Sequence, residues 1–202
     1  MTLDKYRSLA DRVLRPFVTA SAKLGLTPDA VSVLAIVVAA LSAGAFYLGG
    51  DESLYYGIGA LLVFANGWLD LLDGALARRL DASSEAGDLL DHVLDRYADI
   101  FILVGLAAGI GRYDLGLAAV TGVLMTSYLG TQAQAVGLER VYGGLLGRAD
   151  RLVLIGVVGA VAVVVTEPIR GFTVVGWLLI VFAVVGHFTA LQRFYYAMGD
   201  LR

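Results

Sequence analysis

The chain has no cysteine in its 202 residues, which excludes disulfides and thiol chemistry. Charge is also scarce. Charged residues make up 16% of the chain and apolar residues 58%, and the mean hydropathy is +0.78. That balance excludes an ordinary soluble domain. The first 28 residues are charged and lack a short apolar core followed by a small-residue cleavage site, so no cleavable signal peptide is expected. The sequence shows no internal repeat and no low-complexity segment. The net charge of −3 discriminates little, because the acids concentrate in one segment.

Three uncharged runs, 30–50, 115–138 and 171–192, are each at least 21 residues long, enough to cross a bilayer. Stretches 53–69, 100–111 and 152–166 are apolar but charged at one end. The expected fold is therefore all-α and integral to the membrane. Six transmembrane helices, near 29–49, 53–78, 86–111, 114–138, 149–167 and 171–197, form one domain over residues 29–202. Residues 1–29, 78–99, 139–151 and 193–202 hold 13 of the 15 basic residues, and Arg112 and Arg170 are the exceptions. The positive-inside rule places that larger group, with both termini, in the cytoplasm of a multi-pass plasma-membrane protein.

Residues 1–28 are too polar to span. Leu3, Tyr6, Leu9, Ala10, Val13, Leu14, Phe17 and Val18 recur at helical spacing, which predicts an amphipathic helix on the cytoplasmic surface. Gly25-Leu26-Thr27-Pro28-Asp29 breaks it, and Thr27 or Asp29 can cap the first span.

Between these apolar runs the chain reads Asp70-x2-Asp73-Gly74-x2-Ala77-Arg78-x8-Gly87-x3-Asp91-x3-Asp95. A carboxylate at bilayer depth costs about 2.5–3.5 kcal/mol on insertion scales, so four of them need a reason. Asp70 and Asp73 share a helix face, as do Asp91 and Asp95. A short loop between antiparallel helices brings the two faces together. Such a nest repels itself unless cations fill it, and hard oxygen donors suit Mg²⁺ or Mn²⁺, with two ions expected for phosphoryl chemistry. Gly74, Gly87 and Ala77 leave room for a ligand, and Arg78 can pair with a phosphate.

This frame resembles the signature of the CDP-alcohol phosphotransferase family, matching it at Asp70, Asp73, Gly74, Ala77, Arg78, Gly87, Asp91 and Asp95. The resemblance implies transfer from a CDP-lipid to the hydroxyl of a small alcohol, with release of CMP. It implies metal ligation by Asp70, Asp73, Asp91 and Asp95, with Asp95 also the general base. Gly74, Ala77, Arg78 and Gly87 would line the CDP pocket, with Ser84 near the nucleotide. The segment Thr27-Pro28-Asp29-Ala30-Val31-Ser32 resembles one that approaches the CDP moiety, adding Asp29, Ala30, Val31 and Ser32 to that set. A homodimer among membrane lipids is expected, and no nucleic-acid partner.

The stretch Asp95-Arg96-Tyr97-Ala98-Asp99 resembles the subfamily that uses inositol phosphate, as do Ser127-Tyr128, Gly137 and Arg148-x2-Arg151. There Arg148 and Arg151 would hold the acceptor's phosphate. Where that subfamily carries basic residues after Ser-Tyr, this chain has Gly130 and Gln132. Gln132 and Gln134 can bind hydroxyls without adding charge. Glycerol phosphate, serine and inositol therefore stay open as acceptors, as does a diacyl or archaeal dialkyl lipid. An intramembrane prenyltransferase also uses aspartates and Mg²⁺, and Asn66-x3-Asp70 resembles its first motif. The x2 spacing to Asp73 and the Gly74/Ala77/Arg78 set do not fit it. An ion-coupled transporter would need polar residues through several spans, and the acids cluster at one end. His92 reads as a packing or interfacial residue, His187 as a satisfied intramembrane histidine, Trp68, Tyr195 and Tyr196 as interfacial aromatics, and Gly105-x3-Gly109 as chance.

Overall fold

The computed structural model describes residues 7–139 and 146–202, with side chains from residue 12 onward. Lys5 and Arg140, counted above in the basic group, lie outside the described residues, as do Leu3 and Tyr6 and the side chains of Leu9 and Ala10. Among the described residues seven helices follow one another: α1 (Arg7–Lys23), α2 (Pro28–Leu48), α3 (Leu54–Leu80), α4 (Glu85–Gly109), α5 (Tyr113–Ala135), α6 (Arg148–Ala162) and α7 (Val174–Asp200). No strand occurs among the described residues. By length and composition α2, α3 and α7 can cross a membrane. The 15-residue α6 is short for that, and α4 carries Asp88, Asp91, Asp95, Arg96 and Asp99.

Local chemistry sets the helix ends. Gly25 has φ +72° and ends the α1 connection, a conformation open to glycine at little cost. Thr27 Oγ1 then accepts from Ala30 N–H at 3.2 Å, and Pro28 begins α2, where its missing donor is not needed. At the C-terminal side, α6 stops at Ala162 and α7 starts at Val174, later than the apolar run suggests. Gly171 takes φ +87°, Ile169 and Phe172 form a tight bridge, and Thr173 caps α7.

Leu14 and Val18 of α1 are buried against Val31, Leu72 and Leu76, so α1 lies across the ends of α2 and α3. Phe17 meets Trp68 edge-on with centroids 5.1 Å apart, so Trp68 packs on α1. The main core is built from Phe46, Ile102, Leu106, Leu179 and Phe182. Gly105 and Gly109 are a packing contact rather than chance. A Cβ on Gly105 would strike the backbone of Ala43, and one on Gly109 the carbonyl of Phe46. Glycine is thus what lets α4 rest on α2. A Cβ on Gly186 of α7 would stand 2.7 Å from Gly122 C of α5 in the same way. Thr126 reinforces that crossing, donating to Gly186 O at 2.9 Å.

Candidate active site

The loop 81–84 turns the chain back through Asp81, at φ 50°, so α3 and α4 run antiparallel with their acidic ends adjacent. Carboxylate oxygens of Asp70, Asp91 and Asp95 come within 4.8 Å of one another. Asp73 stands beside this group, and its Oδ2 accepts from Ser32 Oγ at 2.7 Å, which ties α2 to the site. All four aspartates line one small cavity. Three converging carboxylates are a hard-oxygen donor set, so these residues fit a divalent cation such as Mg²⁺ or Mn²⁺.

Helix α6 brings cations to the same place. Leu152 packs over Gly67 and Gly156 faces Phe64, so α6 runs along α3 and its first residue reaches the aspartates. Arg148 donates through Nη1 to Asp70 Oδ1 at 2.5 Å, and its Nη2 lies 2.8 Å from Asp95 Oδ1. One turn away, Arg151 is 7% exposed and donates to Asp99 Oδ2 at 2.8 Å. Asp99 is 6% exposed, and Arg148 Nε and Arg96 Nη2 approach it at 3.8 and 3.7 Å. Arg96 also donates to Ser127 Oγ. A buried carboxylate therefore anchors a cluster of three guanidinium groups behind Asp95. Buried charges persist when they are paired in this way.

Beside the aspartates opens a cavity of about 210 Å³. Asp29, Ser32, Asp73, Gly74, Ala77, Arg78, Ser84 and Gly87 line it, with Asp88 and Asp91. Ser84 also caps α4, its Oγ accepting from Gly87 N–H at 3.0 Å. A Cβ on Gly74 would meet only Arg78 Nη1, at 3.5 Å, so this glycine borders open space. Ala30 is exposed, and Val31 is buried toward α1 and α3; neither lines the cavity. Gln132 is exposed near the end of α5 and lines neither this cavity nor the smaller one. Asp99, Arg96 and Ser127 enter the sequence reading only as part of a subfamily pattern, with no role of their own. The available signal for Asp99 was its spacing of four from Asp95, which puts it on the same face. His92 Nδ1 donates to the Asp88 carbonyl at 2.8 Å and lies 3.5 Å from its carboxylate, and His187 Nε2 lies 3.4 Å from Thr121 Oγ1.

Comparison with known proteins agrees with this geometry. The family model described as CDP-alcohol phosphatidyltransferase matches residues 25–189. The archaetidylinositol phosphate synthase of Methanothermobacter thermautotrophicus is 34% identical over 206 residues, covering 99% of this chain and 96% of that protein. The crystal structure of Mycobacterium tuberculosis phosphatidylinositol phosphate synthase in complex with manganese and citrate superposes with TM-score 0.79 at 26% identity, covering 92% of this chain and 88% of that one. The same enzyme with CDP-DAG bound gives TM-score 0.76 at 27% identity, covering 92% and 94%. The match spans the aspartate frame, the cavity beside it, α2 to α6 and the first part of α7; the chain belongs to the CDP-alcohol phosphatidyltransferase family.

Proposed function

We propose that the chain transfers the lipid phosphate of a CDP-lipid to a hydroxyl of inositol phosphate and releases CMP. The observation that carries this reading is the convergence of Asp70, Asp91 and Asp95 at the edge of a cavity lined by Gly74, Ala77, Arg78 and Gly87. The acceptor is supported by the arginine cluster behind Asp95 and by the likeness to an archaetidylinositol phosphate synthase over nearly the whole chain.

The chain's own groups divide the work. Arg78, Ser84 and the small residues Gly74, Ala77 and Gly87 receive the CDP moiety, Arg78 pairing with phosphate oxygens. Asp95 accepts the proton of the acceptor hydroxyl. The acceptor oxygen forms its bond to the lipid-bearing phosphorus, and the bond from that phosphorus to the CMP oxygen breaks, its electron pair leaving with CMP. Arg148 holds Asp95 Oδ1 in place, Arg151 holds Asp99, and the two arginines are assigned to the acceptor's phosphate. Asp70, Asp73, Asp91 and Asp95 would hold two divalent cations, whose charge would neutralise the pyrophosphate when bound.

The membrane arrangement proposed is six spans, α2 to α7, with α1 on the cytoplasmic surface and a homodimer as the assembly. It is supported by outward apolar side chains on α4, α5 and α6 too, such as Val104, Leu117 and Val157. The charge asymmetry supports a cytoplasmic active site. The test is CMP release by purified protein from a CDP-lipid with inositol phosphate, glycerol phosphate, serine or inositol. Inositol phosphate should give the highest kcat/KM, and activity should vanish after EDTA. Equal turnover of glycerol phosphate would reassign the acceptor, and full activity in EDTA would remove the cations.

A further inference from the structure

Asn66 lies on α3 one helical turn before Asp70 and is 1% exposed. Its Nδ2 donates to the Ala35 carbonyl of α2 at 2.9 Å. A carbonyl only accepts, so this bond fixes which end of the amide is oxygen. That oxygen, Oδ1, is buried and has no hydrogen-bond partner among the described residues. Buried polar groups nearly always have one, so an orphan next to a functional site asks for a ligand.

Asn66 lines the same small cavity as Ser32, Asp70, Asp73, Asp91 and Asp95. The cavity measures about 10 Å³, close to the ~10–15 Å³ that admits a single water. Ionised carboxylates accept hydrogen bonds and donate none, as does an amide oxygen. A water in that space therefore has acceptors for both its hydrogens, and its lone pairs are left for a cation. Mg²⁺ and Mn²⁺ sites commonly keep such waters.

We infer that Asn66 belongs to the ion site: its Oδ1 accepts a hydrogen bond from a water bound to the divalent cation held by Asp70, Asp91 and Asp95. This rests on the reading of those three carboxylates as cation ligands. Asn66 then orients the water on the side of the site toward α2, while its amide nitrogen ties α2 and α3 together. An aliphatic residue there would leave the water one acceptor short.

The test is Mn²⁺ titration by electron paramagnetic resonance, in detergent and without CDP-lipid, alongside melting temperatures in EDTA. Asn66→Ala should raise the Kd for Mn²⁺ by about 10–100-fold, the usual effect of losing an outer partner of a metal site. Asn66→Asp keeps an acceptor for the water and should bind Mn²⁺ as tightly as the native chain or more tightly. Both variants should melt lower in EDTA, because the bond to Ala35 is weakened. A purely structural role predicts that lowering with unchanged Mn²⁺ affinity, and a Kd for Asn66→Ala within about twofold of native would overturn the inference. If Asn66→Ala does not fold, Asn66→Asp decides, since a tenfold weaker Kd there also overturns it. Asp91→Asn separates the two levels. Native Mn²⁺ affinity in Asp91→Asn would sink the cation-site reading itself; weakened binding there with none in Asn66→Ala would sink only the role of Asn66.

Discussion

The two ends of the helix bundle use the same residue types to opposite effect. At one end α2, α4 and α6 begin and α3 finishes, around the aspartates. At the other, residues 49–53, 109–110 and 162–175 border the larger cavity, about 610 Å³ against about 210 Å³ beside the aspartates. Asp51 and Glu52 sit there, but both are exposed. Among the described residues, only Asp70, Asp91 and Asp95 group closely enough to hold a cation. Glycines divide the same way. A Cβ on Gly50 would strike the carbonyl of Gly109, so these glycines close backbone against backbone. Gly74 borders open space at the aspartate end. Convergence of carboxylates from facing helices makes the site, and cavity volume does not.

The sharpest way to break this contrast is to remove one acid from each end. Asp95→Asn keeps the shape but cannot take the hydroxyl proton, so kcat should fall by about 10²–10⁴-fold with a smaller change in CDP-lipid affinity. Glu52→Gln should leave kcat within about twofold, because a solvated acid far from the reaction contributes nothing to the barrier. Substantial rescue of Asp95→Asn by raised Mn²⁺ would make Asp95 a ligand only.

Arginines give the next largest difference. Arg151→Ala removes a buried partner of Asp99, and breaking such a pair costs about 3–5 kcal/mol, less here to the extent that Arg148 and Arg96 compensate. Its melting temperature should drop, and its KM for inositol phosphate should rise with CDP-lipid KM spared. At the other end Arg112, partly exposed, pairs with Asp114 at 2.7 Å and lies over the Phe172 ring at 5.3 Å, and Arg112→Ala should move the melting temperature far less. An equal loss by Arg151→Ala with neutral inositol would show that it holds no phosphate.

The glycines sharpen the comparison at smaller scale. Gly105→Ala must displace the Ala43 backbone, and such overpacking costs about 1–3 kcal/mol, read as a lower melting temperature. Gly74→Ala meets only a flexible arginine tip, so melting should hold while the KM for CDP-lipid rises. Equal melting losses in the two variants would erase the distinction between packing glycines and site glycines.

What was legible in the sequence is what local periodicity encodes. Spacings of three and four put Asp70 with Asp73, and Asp91 with Asp95, on shared faces, and a four-residue loop starts α4 beside the end of α3, both helices packing on α2. What was not legible depends on partners far along the chain. Gly105 and Gly109 look like background in a chain with 25 glycines, and only the approach of α2 gives them a purpose. Arg148 and Arg151 read as holders of the acceptor's phosphate, and their approach to Asp99, 52 residues before Arg151, is not visible in the sequence. Val31 sits between Ala30 and Ser32 in sequence, but each helical step turns the side chain by about 100°, so Val31 faces α1 while Ser32 reaches Asp73.

The smallest effect distinguishes the ends most cleanly, because the perturbation is the same at both. Ser84 caps α4 at the active-site end, its Oγ 3.0 Å from Gly87 N. Thr173 caps α7 at the other end, its Oγ1 3.1 Å from Gly176 N. Replacing either by Ala removes one acceptor from the first turn and costs about 1 kcal/mol, in a range of 0.5–2. The two melting temperatures should therefore fall by similar small amounts. Their kinetics should differ. Ser84 and Gly87 both line the cavity beside Asp91, so loosening this cap alters the wall that receives CDP. Ser84→Ala should raise the KM for CDP-lipid several-fold, while Thr173→Ala leaves it unchanged, as measured by initial rates of CMP release. If both variants change KM alike, the effect belongs to bundle stability, and Ser84 is only a cap. If Ser84→Ala raises KM while Ser84→Thr, which can still cap, restores melting but not KM, the hydroxyl and the space around it act on the nucleotide directly.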